Sequence, residues 1–160
     1  MEKKINRFFS LTVVIMMLGV NVFAQGKVDF SGKWKINESK SKFNPERSFH
    51  PEQVTITQSG NNLTLVRVTN FQGESRTMTE KFTLDGKECT NTGFRDRQTV
   101  STATWSGDGK SLNIKSKTSM DNGDMTMERK LSMDGKNFVL DSNVNSPRGE
   151  SHETWVFDKQ

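Results

Sequence analysis

Histidine, cysteine and carboxylate side chains are the groups most often used for catalysis and metal binding, and this sequence spaces them poorly for either. Its two histidines, His50 and His152, have no Asp, Glu or Cys at metal-type spacing beside them. Cys89 is the single cysteine, with no basic or histidine neighbour to activate it. We therefore expect surface histidines, a small half-buried strand cysteine, no metal and no cofactor.

Sequence motifs for nucleophilic catalysis and phosphate binding are also missing. The chain contains no Gly-x-Ser-x-Gly elbow and no glycine-rich phosphate loop. Its many serines and threonines are typical of exposed strand positions. We do not expect an enzyme, and a hydrolase stays the third hypothesis behind two non-catalytic ones.

Two arginines lie on strand faces that are otherwise apolar. Arg67 follows two leucines at alternate positions, and Arg129 lies among methionines and a leucine. A buried arginine is costly unless it is paired or hydrated. Inside a barrel, Arg129 could meet a ligand carboxylate or a partner such as Glu153. The alternatives are a structural salt bridge, or a strand parity that turns the arginine to solvent.

Large apolar side chains on the same faces complete the set of candidate ligand contacts. Methionines suit an adaptable apolar pocket, although they fill protein cores equally well. The residues predicted to line the lumen are Arg67, Met78, Phe82, Trp105, Met127, Arg129 and Trp155.

The elements that position these residues begin with the stretch 30–37. Phe30, Gly32, Trp34 and Ile36 fall on one face and alternate with polar residues, which is the pattern of a half-buried strand. Similar short stretches follow to the end of the chain and contain no helical periodicity. The other predicted strands are 53–58, 63–69, 76–84, 88–92, 98–106, 111–119, 125–133, 137–143 and 150–158.

Short turns separate these strands. Asp-Gly-Lys recurs at 85–87, 108–110 and 134–136, and Asp-Gly supplies the positive φ angles of tight hairpin turns. We interpret the three turns as hairpins rather than as a calcium loop or a sequence repeat. Residues 38–50 form the one long connection, and we expect it to cross the surface or to form a flap, docked by Phe43 and Phe49.

The first 24 residues differ from the rest. A basic lead precedes the apolar run 8–20, and Ala24 ends the segment with a small residue, which is the pattern of a secretory signal peptide. The alternative, a membrane anchor, needs roughly 20 apolar residues, more than this run offers. We expect cleavage after about Ala24, a mature domain over 25–160, and a periplasmic or secreted protein.

The charge of the chain points to no polyanionic partner. The formal net charge of +4 falls to +2 without residues 1–24, which carry three basic residues and one acidic residue. The remaining charges are dispersed, without the basic stripe of a nucleic-acid-binding protein. We expect no nucleic acid, no membrane anchor after cleavage, and a monomer.

The number and pairing of the strands predict an all-β fold. A long antiparallel meander exposes its edges unless it closes. We predict a single up-and-down β-barrel of about 8–10 strands, whose interior is small, partly polar or partly empty because apolar residues are only 31% of the chain.

The opening stretch resembles the first-strand Gly-x-Trp signature of the lipocalins and fatty-acid-binding proteins. The mature chain is more similar to lipocalin-like secreted proteins of bacteria, through Ser41-Lys42-Phe43, the segments 82–87 and 131–136, and the ending 156–160. The resemblance implies a calycin-type barrel with an internal pocket for a small apolar molecule, and a Trp34 that plugs one barrel end.

The chain also departs from these families. The Arg-x-Tyr pair that holds the lipid carboxylate in fatty-acid-binding proteins is replaced by Trp155-Val156-Phe157, and the chain has no tyrosine. No basic residue clearly matches the one that lipocalins place against the indole of Gly-x-Trp. The leading hypothesis is an exported, non-catalytic barrel that binds a small hydrophobic or amphipathic ligand. A filled barrel that serves as a structural or protein-interaction module of the cell envelope is the alternative.

Overall fold

The computed structural model describes residues 26–45, 48–71 and 73–160. The expected signal peptide lies outside these residues. In this part of the chain, no helix is long and apolar enough to cross a membrane.

Ten antiparallel strands form one sheet that curves into a nearly closed barrel. Strands adjacent in the chain pair with each other, except β4 and β5, and β1 also pairs with β10. The strands are Gly32–Ile36 (β1), Gln53–Ser59 (β2), Asn62–Phe71 (β3), Glu74–Thr83 (β4), Glu88–Thr92 (β5), Gln98–Trp105 (β6), Ser111–Met120 (β7), Gly123–Asp134 (β8), Asn137–Ser146 (β9) and Gly149–Lys159 (β10). The predicted all-β, up-and-down barrel is confirmed.

Two of the three Asp-Gly-Lys turns close hairpins as predicted. Gly109 and Gly135 have φ angles of 69° and 60°, in the left-handed region that glycine enters at little steric cost. In the first of these turns, the Lys110 amide donates to Oδ1 of Asp108 at 3.1 Å. The two turns join β6 to β7 and β8 to β9, which are paired strands.

The remaining Asp-Gly-Lys turn, at 85–87, does not close a hairpin, so the prediction of a hairpin there is wrong. Its local geometry is the same, since the Lys87 amide donates to Oδ1 of Asp85 at 3.1 Å, but the strands it joins lie at opposite ends of the sheet order. Asn91 bridges the gap between them. Its Oδ1 accepts from the Lys81 amide at 2.7 Å and its Nδ2 donates to the Lys81 carbonyl at 3.0 Å. The Asn91 side chain therefore connects β5 to β4, which do not pair with each other as strands.

Apolar side chains fill the end of the barrel where β1 pairs with β10, here called the closed end. Trp34 is 1% exposed, and its Nε1 donates to the Phe30 carbonyl at 3.0 Å. Its ring centre lies 5.6 Å from that of Phe138, and Nζ of Lys159 lies 5.5 Å from the indole. Trp34 therefore plugs this end, and Lys159 is the basic partner that the sequence pattern did not reveal.

The long connection between β1 and β2 forms an isolated antiparallel bridge to β10. Lys42 and Thr154 exchange two backbone hydrogen bonds of 2.7 and 3.0 Å. Phe43 docks as expected, because it packs against the core and its ring centre lies 4.1 Å from that of His50. Phe49 is 64% exposed, so it does not pack into the core as Phe43 does.

Candidate functional site

Three charged residues from three strands meet in the interior, above the apolar closed end. Arg129 of β8 donates from Nη1 and Nη2 to the two carboxylate oxygens of Glu80 of β4, at 2.9 and 2.8 Å. Nη2 of Arg67, on β3, lies 3.1 Å from Oε2 of the same carboxylate. This arginine–glutamate cluster (Arg67, Glu80 and Arg129) joins opposite walls of the barrel, because β8 is far from β3 and β4 in the sheet order.

The partner of Arg129 differs from the one suggested by the sequence. Glu153 instead accepts from Nε1 of Trp155 at 3.1 Å and from the Asn44 amide at 2.7 Å. Glu80 was missed, although its position held a signal. It interrupts the apolar face formed by Met78 and Phe82, just as the two arginines interrupt theirs. The salt-bridge alternative is therefore correct for Arg129, with Glu80 as the partner.

The cluster holds a carboxylate that stays ionised under strongly acidic conditions. Burial raises the pKa of Glu80, but the charges of Arg129 and Arg67 and their hydrogen bonds outweigh burial and lower it from 4.5 to about 2. Because the folded-state pKa is depressed, the ionised group stabilises the fold above about pH 4.5. That stabilisation is lost as the pH falls through about 2. The shift corresponds to about 3 kcal/mol at neutral pH.

The cluster has an excess of positive charge and unused donors. Two guanidinium groups face one carboxylate, so its formal charge is +1. Burial lowers the pKa of Arg67, although the charge of Glu80 opposes this shift. Nε of Arg67 and Nε of Arg129 are buried without a hydrogen-bond partner. A buried charge without full compensation is unfavourable, so the cluster would gain from a nearby anion.

A cavity of ≈ 270 Å³ lies beside the cluster and is lined by Arg67 and Glu80, so we call it the Arg67 cavity. Its walls are mainly apolar, and methionines from three strands supply much of that surface. These are Met78, Met120, Met125 and Met127. Unbranched thioether side chains adapt to irregular ligands. The cavity can therefore hold an apolar chain with a charged group at Arg67.

A second cavity of ≈ 260 Å³ lies on the β9–β10 side and is lined by Trp155, Phe49 and Glu153, so we call it the Trp155 cavity. Trp155 is 7% exposed, and its hydrogen bond to Glu153 fixes the indole. The exposed Phe49 ring contributes an apolar surface from the long connection. The Trp155 cavity therefore offers aromatic walls, and its lining arginine is Arg148 rather than a member of the arginine–glutamate cluster.

Hydroxyl groups in the open half of the barrel bond mainly to one another. Ser101 and Ser116 are hydrogen-bonded at 2.9 Å, and Thr99 and Thr118 at 2.7 Å, in both cases between β6 and β7. Each pair satisfies polar groups that would be costly to bury alone. These hydroxyls therefore explain the low apolar content of the interior without requiring a catalytic role.

The seven predicted lumen residues separate into two groups. Arg67, Met78 and Met127 line the Arg67 cavity, and Met127 and Trp155 line the Trp155 cavity. The remaining three do not line either cavity: Phe82, Trp105 and Arg129. The ring centre of Phe82 lies 5.5 Å from Cζ of Arg129. Trp105 stacks on Phe30 at the closed end, with the ring centres 5.8 Å apart.

The histidines and the cysteine do not assemble into a reactive site. His152 is exposed on β10, and Nδ1 of His50 is 3.2 Å from Oγ of Ser48. Cys89 is half-buried, and burial raises the pKa of its thiol. Among the described residues, no group of three or more His, Cys, Asp or Glu side chains could hold a metal ion.

Two larger depressions lie on the outer face of the barrel. One of ≈ 400 Å³ spans β8 to β10 near His152, and another of ≈ 500 Å³ spans β5 to β8 near Val100. The charged residues that line these depressions, such as Glu88, Lys115 and Glu128, are exposed, and none of the lining residues is a buried charged group. The lumen cavities combine apolar walls with a buried charge, which is the usual composition of a small-molecule site.

Comparison with solved structures shows which proteins share this barrel. A zebrafish ileal bile acid-binding protein complexed with cholic acid aligns with a TM-score of 0.54 and 17% identity, over 82% of this chain and 98% of its own. The fatty-acid-binding protein 1 of Echinococcus granulosus aligns with a TM-score of 0.54 and 15% identity, over 81% and 96%. The chain has the fatty-acid-binding-protein fold.

A third similar structure has a name that refers to no ligand. It is a secretory abundant heat soluble protein from Ramazzottius varieornatus, with a TM-score of 0.57 and 14% identity, over 84% of this chain and 97% of its own. No protein-family model and no curated protein sequence matches this chain. Identities this low establish the shared fold, and the ligand must be argued from the lumen itself.

Proposed function

We propose that this protein is an exported, non-catalytic barrel that binds a small amphipathic ligand in its lumen, with an acidic group of the ligand at Arg67. The observation that carries the proposal is the +1 arginine–glutamate cluster at the wall of a methionine-lined cavity. An anion beside Arg67 would balance the excess charge, while an apolar chain would cover the methionines.

The names of two similar structures support this ligand class. One is a bile acid-binding protein complexed with cholic acid, and the other is a fatty-acid-binding protein. Both names refer to amphipathic acids held by a barrel of this fold. The acid-binding residues must differ here, because the last strand carries Trp155-Val156-Phe157 where an Arg-x-Tyr pair would stand.

Calorimetric titration with decanoate and 1-decanol tests the role of Arg67. We expect decanoate to bind more tightly than decanol, and Arg67→Leu to weaken decanoate about 10- to 100-fold, the effect of losing a hydrogen bond to a charged group. Decanol affinity should change less than about threefold. Lys115→Gln is the matched control, because it removes a positive charge from the outer face, where Lys115 pairs with Glu128. Equal losses for both ligands would contradict the assignment.

The filled barrel remains the competing proposal, supported by the dense apolar packing of the closed end. Native mass spectrometry and lipid extraction of the purified protein separate the two. A co-purifying amphiphile supports the binding protein. Repeated absence of any ligand, together with no binding in the titrations, would favour a structural or interaction module of the cell envelope.

Export is part of the proposal and depends on residues 1–24. We expect the mature protein to begin at Gln25, because Ala24 ends the signal-peptide pattern. Intact-mass measurement of protein recovered from the periplasmic and culture fractions checks this expectation. Recovery of the full-length chain in the cytoplasm would contradict it.

A further inference from the structure

One residue is common to the linings of the two lumen cavities. The Arg67 cavity measures ≈ 270 Å³ and the Trp155 cavity ≈ 260 Å³. Among the described residues, Met127 is the one that lines both. Each cavity alone is smaller than the roughly 300–1,000 Å³ of typical small-molecule sites. Joined, they would fall within that range.

The strand register explains how Met127 separates them. Met127 of β8 lies opposite Ser116 of β7 on one side and Val144 of β9 on the other. The β7 side belongs to the Arg67 cavity through Thr118, whereas Val144 lines the Trp155 cavity. The half-buried Met127 side chain therefore stands between the two.

We propose that Met127 is the specificity-determining residue of the lumen and limits the length of ligand that the barrel accepts. This inference rests on the proposed function. A short acid fills the Arg67 cavity with its carboxylate at Arg67 and its chain against the methionines. A longer chain reaches the aromatic walls of the Trp155 cavity only if the Met127 side chain moves aside or is shortened.

A methionine suits this position for a physical reason. Its three rotatable bonds let the thioether change rotamer at little cost, so it restricts length without closing the path completely. A bulky aromatic residue would close the path, and an alanine would remove the division. We therefore predict that a larger and a smaller side chain at position 127 shift the preferred ligand length in opposite directions.

Calorimetric titration with saturated carboxylates from hexanoate to hexadecanoate tests the proposal. For the wild type we expect affinity to level off at an intermediate length. Met127→Ala should move this limit to longer chains, with about a fourfold gain for each additional methylene that becomes buried. Met127→Phe should move it to shorter chains. Thermal unfolding verifies that each variant is folded, and Met127→Val replaces the alanine variant if that one is not.

Met133→Ala is the matched control. Met133 lies on the same face of β8 but packs against the core at the closed end, so its truncation should lower stability and leave the length profile unchanged. If the wild type binds carboxylates and the Met127 variants keep its profile, the division by Met127 is overturned while the proposed function stands. A control that shifts the profile equally would also overturn it. If neither the wild type nor any variant binds a carboxylate, the proposed function fails and this inference with it.

Discussion

Glu80→Gln will destabilise the protein by about 3–5 kcal/mol, the usual cost of removing one partner from a buried ion pair. Glutamine keeps the shape of the side chain but removes its charge. Arg67 and Arg129 would then face each other in the interior without a counter-charge. Since small proteins are stable by about 5–15 kcal/mol, this single change removes a large part of the total.

Urea unfolding, monitored by circular dichroism, measures this loss of stability. Glu128→Gln is the matched control, because Glu128 forms an exposed pair with Lys115, and exposed pairs contribute about 0–1 kcal/mol. A loss for Glu80→Gln no larger than that of the control would show that the cluster does not hold as described. Replacing all three cluster residues with methionine should cost less than Glu80→Gln alone, since no unpaired charge remains.

The same measurement across pH identifies the source of the effect. Glu80 should account for about 3 kcal/mol of the stability that the wild type loses between about pH 4.5 and pH 2, because its pKa is depressed in the folded state only. Glu80→Gln should show a correspondingly smaller loss over this range. Parallel acid curves for the two proteins would contradict the pKa assigned to Glu80.

Trp34→Ala will cost about 3–5 kcal/mol, the range for truncating a buried tryptophan. The indole is 1% exposed and packs on Phe138 at the closed end, so its removal opens a cavity that the surrounding strands cannot easily refill. Denaturant unfolding measured by circular dichroism gives the value independently of tryptophan fluorescence. A loss below about 1 kcal/mol would contradict the role of Trp34 as the plug.

A pair of phenylalanine substitutions separates packing from hydrogen bonding. Trp34→Phe removes the donor to the Phe30 carbonyl and should cost about 1–3 kcal/mol more than Trp105→Phe. Nε1 of Trp105 is buried without a partner, so its loss sacrifices no hydrogen bond. Equal costs at the two positions would show that the Trp34 hydrogen bond contributes little.

Local patterns determined most of the fold. Each of the ten predicted strands overlaps an observed one, because alternating apolar and polar residues mark a half-buried strand wherever it lies. The Asp-Gly turns at 108–110 and 134–136 were equally local, since the φ angles depend on the glycine itself. Closure of the barrel followed from the need to remove exposed edges.

The candidate site was only partly predictable. Arg67, Met78, Met127 and Trp155 line the two cavities, as expected for inward-facing positions of several strands. The sequence does not distinguish the inward-facing positions that line a cavity from those that are packed against other side chains. Phe82 and Trp105 have the same alternation, yet they lie in the packed half of the barrel, because their distance from the closed end depends on the register between strands.

Tertiary structure alone decided the contacts across the barrel. Glu80 meets Arg129 although they are 49 positions apart in the chain, and Lys159 reaches Trp34 only because β1 pairs with β10. β4 and β5 show the reverse case, because the local hairpin signal between them is not followed by pairing of the two strands with each other. Sequence periodicity specifies which face of a strand is buried, whereas barrel closure and register determine what that face meets.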